Sequence, residues 1–253
     1  MGRLIRIGEP PESLGRSTLH EAYDAIDRGD GEEAKRLLES FRFEEQLLQD
    51  IYVDWIWAML TWVRDELGEP SVERIMRETL GSWAIARYAN YLDLSFDEQL
   101  AMTVEGMRGH LGGPGRQGNV EVVDEGNRVV VAFDPCGSGG RARRGDAARN
   151  IPPATERPEF GFSHGAHDWT WRREGVCLYC SHCSLVNEIL PIERLGFPIR
   201  VTEYPEHPED KCRWILYKDP RDVPAEAYER VGKQKPTAEE LEAQWARLRA
   251  GEV

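Results

Sequence analysis

Apolar residues recur at helical spacing in the first half of the chain. The clearest run covers residues 48–63, where large apolar side chains stand three or four positions apart. This period predicts a helix whose apolar stripe faces the core. Trp57 and Trp62 add apolar bulk outside the stripe, so we expect this helix to be buried on more than one side. The stripe consists of Leu48, Ile51, Tyr52, Trp55, Ile56, Met59, Leu60 and Val63.

The pattern becomes β-rich in the middle of the chain. Residues 120–123 and 128–133 flank the turn-forming segment 124–127, which predicts a β-hairpin. Residues 199–204 and 213–217 have the same character and predict a second strand pair.

A long segment rich in glycine and proline, residues 134–168, lies between the two strand pairs. A loop of this length inside a compact domain is usually functional or disordered. Residues 184–195 predict a helix, and capping boxes at Ser95 and Thr237 predict the starts of two more.

These elements predict an α+β fold. We expect N-terminal helices packed on an antiparallel sheet made of two hairpins, with a long functional loop and a C-terminal helix. The chain then divides into a helical part at 1–116, a part with the sheet and the cysteines at 117–220, and a helical tail at 221–253. The three parts are expected to form one compact domain.

Composition narrows the class of partner. The net charge is −13, and such a surface repels phosphate backbones, so no nucleic-acid partner is expected. The most apolar stretch, residues 51–63, includes Asp54 and is too short to span a bilayer. Five cysteines without an apolar signal segment fit a reducing cytosol better than a disulfide framework. We expect a cytoplasmic protein that binds a small molecule and is compatible with a homodimer.

A run of cysteines is the strongest chemical signal. Cys177, Cys180 and Cys183 stand three positions apart, and Cys136 lies in a remote glycine-rich segment, CGSGG. This spacing is typical of sites that hold a [4Fe–4S] cluster, so one prediction takes these four thiolates as cluster ligands. Cys136 is also a candidate nucleophile.

A single zinc ion is the alternative prediction. Zinc accepts mixtures of thiolate, imidazole and carboxylate ligands, and the chain offers more of these than one tetrahedral ion can use. A third possibility is that one or two cysteines are only small buried apolar residues. The zinc candidates are Cys180, Cys183, His182, His164, His167, Glu203, His207 and Cys212.

Two further segments carry candidate active-site residues. His164 and His167 are three positions apart, Asp168 is placed to orient an imidazole, and Trp169 is a candidate to contact substrate. Arg141 and Arg144 belong to a basic segment that could bind a substrate carboxylate, or could be a solvated loop.

Residues 177–217, from VCLYCSHC to RWILY, resemble the end of 4-vinyl-reductase-like domains. The resemblance implies an α+β fold of helices on an antiparallel sheet, which vesicle-tethering subunits also use. It implies binding of small aromatic effectors or a role in tetrapyrrole and aromatic metabolism. It further implies zinc ligation by Cys180, Glu203 and Cys212, with Glu206 or His207 near the place of a further family cysteine.

The site chemistry predicts a metal-dependent enzyme that acts on a small organic substrate, aromatic or carboxylate-bearing, at a cysteine-ligated centre. The reaction would be of a hydrolase, lyase or reductive type. The alternative is a non-catalytic small-molecule-binding or sensory domain with structural zinc.

Overall fold

Five helices form the first half of the chain in a computed structural model that describes residue 6, residues 8–88 and residues 90–251. The longest of them, α3, has 37 residues. Its start is capped by Asp30, whose carboxylate accepts a hydrogen bond from the Glu33 N–H at 3.1 Å. The helices are α1 Pro11–Leu14, α2 Thr18–Asp27, α3 Gly31–Leu67, α4 Glu69–Tyr88 and α5 Phe96–Gly109.

A four-stranded antiparallel sheet follows, which confirms the α+β fold. The strands lie in the order β1-β2-β4-β3, so the two hairpins are joined through β2 and β4. The register pairs Phe133 at the end of β2 with Cys212 at the start of β4. The strands are β1 Glu121–Asp124, β2 Arg128–Phe133, β3 Val201–Glu203 and β4 Cys212–Tyr217.

The two faces of the sheet pack against different cores. Strand residues alternate between the faces. Val131, Phe133, Trp214 and Leu216 pack with Met107 of α5 on one face. On the opposite face, residues of β3 and β4 join the main core, which also includes residues of α3 and α4.

Short helices occupy the rest of the chain. The predicted long loop contains one of them, α6, which follows the CGSGG segment. The predicted helix at 184–195 is formed by α7, a π-helical turn at Leu185–Ile189 and α8 in succession. Both predicted capping boxes, at Ser95 and Thr237, are present. The helices are α6 Gly139–Arg144, α7 His182–Ser184, α8 Leu190–Leu195, α9 Ala225–Glu229 and α10 Ala238–Arg249.

The prediction of which face of α3 is buried is wrong. Trp57, which lies outside the predicted stripe, is fully buried, stacks on Phe160 at 4.7 Å and donates a hydrogen bond to the Gly161 carbonyl at 2.7 Å. Of the predicted stripe only Leu60 and Val63 are buried. In the described part of the chain, no helix is both long enough and apolar enough to cross a membrane.

Candidate metal centre

Four cysteines from three chain segments lie near one end of the sheet. Cys212 begins β4 opposite Phe133, and Cys136 lies three residues beyond Phe133 on the loop that leaves β2. Cys180 lies on the turn that enters α7, and Cys183 lies within α7. Cys136, Cys183 and Cys212 all pack against the same apolar cluster on the α5 side of the sheet.

The glycine-rich segment brings Cys136 and Cys180 to this place. A Cβ atom on Gly139 would lie 2.3 Å from the Cys180 Sγ, so only glycine lets the loop approach this thiol. The next residue, Gly140, donates its N–H to the Cys136 Sγ at 3.1 Å. Gly137 packs equally closely, since a Cβ there would lie 1.5 Å from the carbonyl oxygen of His110 at the end of α5.

The four thiols are within electrostatic reach of one another. Burial raises the pKa of Cys183 and of Cys212, and the neighbouring thiols raise both further. The pKa of Cys180 is also raised, first by its hydrogen bond with Cys177, then by burial, by the charge of Cys177 and by that of Cys136. Ionisation of Cys180, Cys183 and Cys212 is therefore disfavoured by burial and by the neighbouring thiols, and a bound cation would offset this cost.

Cys177 lies deeper than the other four cysteines. It is fully buried in the main core, and its Sγ accepts the Cys180 N–H at 3.1 Å. Its own N–H donates to the Tyr204 hydroxyl at 3.2 Å. Cys177 therefore supports the turn, whereas Cys212, which the cluster prediction did not include, lies on the same apolar cluster as Cys136 and Cys183.

The structure does not bring Glu203 and His207 to the thiols. Glu203 pairs across the hairpin with Arg213, its carboxylate lying 3.4 Å from the guanidinium. Because strand residues alternate, the neighbour of Cys212 and its cross-strand partner point to the opposite face of the sheet. His207 is exposed, and its N–H donates to Asp210. Of the set Cys180, Glu203, His207 and Cys212, only the two cysteines thus lie near this end of the sheet, and His182 lies beside them with its Nε2 3.6 Å from the Cys183 Sγ.

The two candidate histidines both contact one carboxylate, that of Glu69, which the sequence analysis did not identify as a candidate. Glu69, at the start of α4, accepts the backbone N–H groups of His164 and Gly165 and lies 2.5 Å from the His167 Nε2. Burial alone would raise the pKa of Glu69, but these hydrogen bonds outweigh burial and leave the pKa lowered. Glu69 thus has the role expected of Asp168, whose carboxylate pairs with Arg172 at 2.9 Å.

Trp169 is part of the main core and does not contact solvent as a substrate-binding residue would. It is 2% exposed, its ring stacks on His167 at 5.0 Å, and its carbonyl accepts the Ser184 hydroxyl at 2.6 Å.

The basic segment is anchored rather than solvated. Arg141 is buried between two carboxylates of α3, with its guanidinium 3.2 Å from Asp50 and 2.7 Å from Asp54. Arg144 pairs with Asp134 at 2.7 Å and donates to backbone carbonyls in the loop before Cys212. These contacts make both arginines positioning residues. Asp50 and Asp54 could have been noticed as carboxylates one turn apart on an apolar helix.

Within the described ranges, no three His, Cys, Asp or Glu side chains are arranged so that they could hold one metal ion as they stand. No family model, curated protein or solved structure matches the chain. The resemblance to 4-vinyl-reductase-like domains therefore stays a prediction.

Proposed function

We propose that the protein is a metal-dependent enzyme for a small organic substrate, with its centre held by Cys136, Cys180, Cys183 and Cys212. The observation that carries this proposal is the convergence of four thiols from three separate chain segments at one end of the sheet. Thiolates select soft metals and iron–sulfur clusters.

Packing explains each cysteine singly, because a buried cysteine fills a gap as a small apolar residue does. It does not require thiols from three separate segments to meet at one end of the sheet. The raised pKa values of Cys180, Cys183 and Cys212 favour the neutral thiol until a cation binds. Metal binding would displace the thiol protons, and the side chains would have to move to complete the ligand set.

A [4Fe–4S] cluster suits the catalytic role. Its four irons would take one thiolate each, so a substrate would reach an iron by displacing one thiolate. N–H groups directed at ligand sulfurs tune the potential of such a cluster, as the Gly140 N–H bonded to Cys136 would do. Such a centre would need a reducing compartment such as the cytoplasm.

Because four thiolates are enough to ligate one zinc ion completely, a second candidate function is a domain with structural zinc. Four thiolates would fill the tetrahedral shell of zinc and leave no position for substrate. In that case the protein would be a non-catalytic small-molecule-binding or sensory domain with structural zinc.

Metal content of matched serine variants tests the ligand assignment. We expect protein purified without air to contain iron and sulfide, or zinc, and Cys212→Ser to lose most of it. Cys177→Ser is the control, because a serine hydroxyl can still accept the Cys180 N–H. Retention of metal in C212S together with loss in C177S would overturn the assignment.

Experiments on the metal-bound protein distinguish the two candidate functions. An enzyme whose substrate displaces one thiolate from its iron predicts that small added ligands change the electron paramagnetic resonance spectrum of the reduced cluster. A colourless protein with one zinc per chain, which unfolds when a chelator removes the metal, would support the structural role instead.

A further inference from the structure

The outer face of α3 carries an unbroken apolar surface. Between Glu45 and Asp65 every exposed residue of this helix is large and apolar, and each exposes 44–61% of its surface. A solvated helix face would carry charged and polar residues instead. We call these eight residues the α3 outer face: Leu47, Leu48, Ile51, Tyr52, Trp55, Ile56, Met59 and Trp62.

The centre line of this face has the spacing of a helix–helix seam. Leu48, Trp55 and Trp62 are seven residues apart, which is close to two helical turns, so they project along one line. The other members flank this line and extend the face over about half of the helix circumference at ~100° per residue. A seam with a seven-residue repeat packs well against a second helix.

Charge argues against a membrane surface as the occupant. The exposed residues that bound the face are acidic, with Glu44 and Glu45 at one end and Asp65 and Glu66 at the other. Helices that lie on membranes carry lysine and arginine at their borders, because these residues meet anionic lipids. The net charge of −13 acts in the same direction.

We propose that a second copy of this chain covers the α3 outer face, so that α3 of one protomer packs on α3 of its partner about a two-fold axis. The area fits such an interface. Trp55, Tyr52 and Trp62 are 61%, 53% and 60% exposed. If a fully exposed aromatic side chain presents about 150–250 Å², these three offer about 250–400 Å².

The five aliphatic members add a comparable area. The total approaches the roughly 800 Å² that each partner contributes to a standard interface, and it exceeds the few hundred Å² that monomers usually leave exposed. One apolar patch that pairs with itself is also the simplest way to form a closed dimer. The acidic ends would lie at the border of this dimer, where water and salt screen their repulsion.

Sedimentation equilibrium of two matched variants tests the dimer. Met59 lies on the outer face and is 51% exposed, whereas Met102 lies on α5 and is 47% exposed. We expect the wild-type chain and Met102→Glu to be dimers. Met59→Glu should raise the dissociation constant of the dimer by about a hundredfold or more, because it places an unpaired charge in an apolar interface.

Two controls keep the outcome decisive. Circular dichroism should show wild-type helix content in both variants, and Trp62→Glu should reproduce the effect of M59E if M59E folds poorly. High salt should leave the dimer unchanged or tighten it. A monomeric wild-type chain, a dimer insensitive to both M59E and W62E, a dimer also lost in M102E, or vesicle binding through this face would overturn the proposal.

Discussion

Glu188 connects three segments of the main core through one buried carboxylate. It is 0% exposed on the π-helical turn. Its Oε1 accepts hydrogen bonds from the Trp171 indole at 2.8 Å and from the Thr202 N–H at 3.0 Å. Its Oε2 lies 2.5 Å from the guanidinium of Arg230. Truncation of this side chain should therefore remove contacts that hold the loop of Trp171, strand β3 and the residue after α9.

The magnitude follows from what each substitution leaves without a partner. Glu188→Ala orphans two buried donors and breaks a buried ion pair, so we expect a loss of about 4 kcal/mol in the free energy of unfolding. Glu188→Gln keeps an oxygen for Trp171 and Thr202 and loses only the pair with Arg230. Since burial disfavours the ionised carboxylate and Arg230 is partly exposed, we expect a loss of no more than about 1 kcal/mol.

The pH dependence of the free energy of unfolding gives a second measure of what Glu188 contributes to stability. Burial raises the pKa of Glu188, although Arg230 and Trp171 oppose the shift. A carboxyl whose pKa is higher in the folded state contributes most below its unfolded value of 4.5 and loses this contribution as pH rises through the folded value. The loss caused by E188Q should therefore be smaller at neutral pH than near pH 4.5.

Urea unfolding followed by circular dichroism measures these differences. Glu193→Ala is the matched control, because Glu193 lies on α8 and pairs with Arg77 and Lys233 at the surface, so its loss should stay below about 1 kcal/mol. An E188A loss below about 1 kcal/mol, or an E188Q loss that grows with pH, would refute the reasoning.

Three further predictions concern the contacts around the candidate centre. Gly139→Ala should reduce bound metal and lower the free energy of unfolding in urea by about 1–3 kcal/mol, since its Cβ would lie 2.3 Å from the Cys180 Sγ; unchanged metal content and stability would contradict this. Asp50→Asn should lose about 3–5 kcal/mol in urea unfolding, because it leaves buried guanidiniums without their carboxylate, and a loss under about 1 kcal/mol would count against it. Glu69→Gln should lose about 1 kcal/mol at neutral pH, measured by thermal unfolding. The lowered pKa of Glu69 means that this difference is present above its unfolded value of 4.5 and disappears as pH falls through the folded value; a constant difference would argue against the His167 contact.

Local signals in the sequence located most elements of the fold. The capping boxes at Ser95 and Thr237 open α5 and α10, because the hydrogen bonds of a capping box form within four successive residues. The first hairpin could be predicted equally well, because strand alternation and turn residues are also signals within a short segment of sequence. The length of β3 was overestimated, since only Val201–Glu203 pair with β4.

The orientation of α3 could not be predicted from its own sequence. Within residues 47–63, apolar side chains lie on several sides of the helix, so periodicity alone does not say which side faces the core. Distant residues decide it. Trp57 points inward because its ring stacks on Phe160 and its indole N–H donates to the Gly161 carbonyl. Asp50 points inward because its carboxylate pairs with Arg141.

The cysteines illustrate the same limit. Spacing identified Cys180 and Cys183 as neighbours and suggested Cys136, because these inferences need only a turn and a remote thiol. The choice between Cys177 and Cys212 depends on how the turn buries one side chain and on which face of the sheet β4 presents the other. Neither is encoded in the spacing.

Helix α6 explains why the basic segment accompanies the cysteines. Arg141 fixes one end of this helix to the two carboxylates of α3, close to the loop that carries Cys136. Arg143 and Arg144 donate to backbone carbonyls of the loop that leads to Cys212. Because a buried guanidinium with several partners holds backbone segments rigidly, α6 sets the separation of the two thiols that come from distant parts of the chain. Arg141 and Arg144, which the sequence suggested as substrate ligands, thus hold the backbone around the candidate centre. This centre lies on the inner side of α3, whose outer side is proposed to meet a second chain.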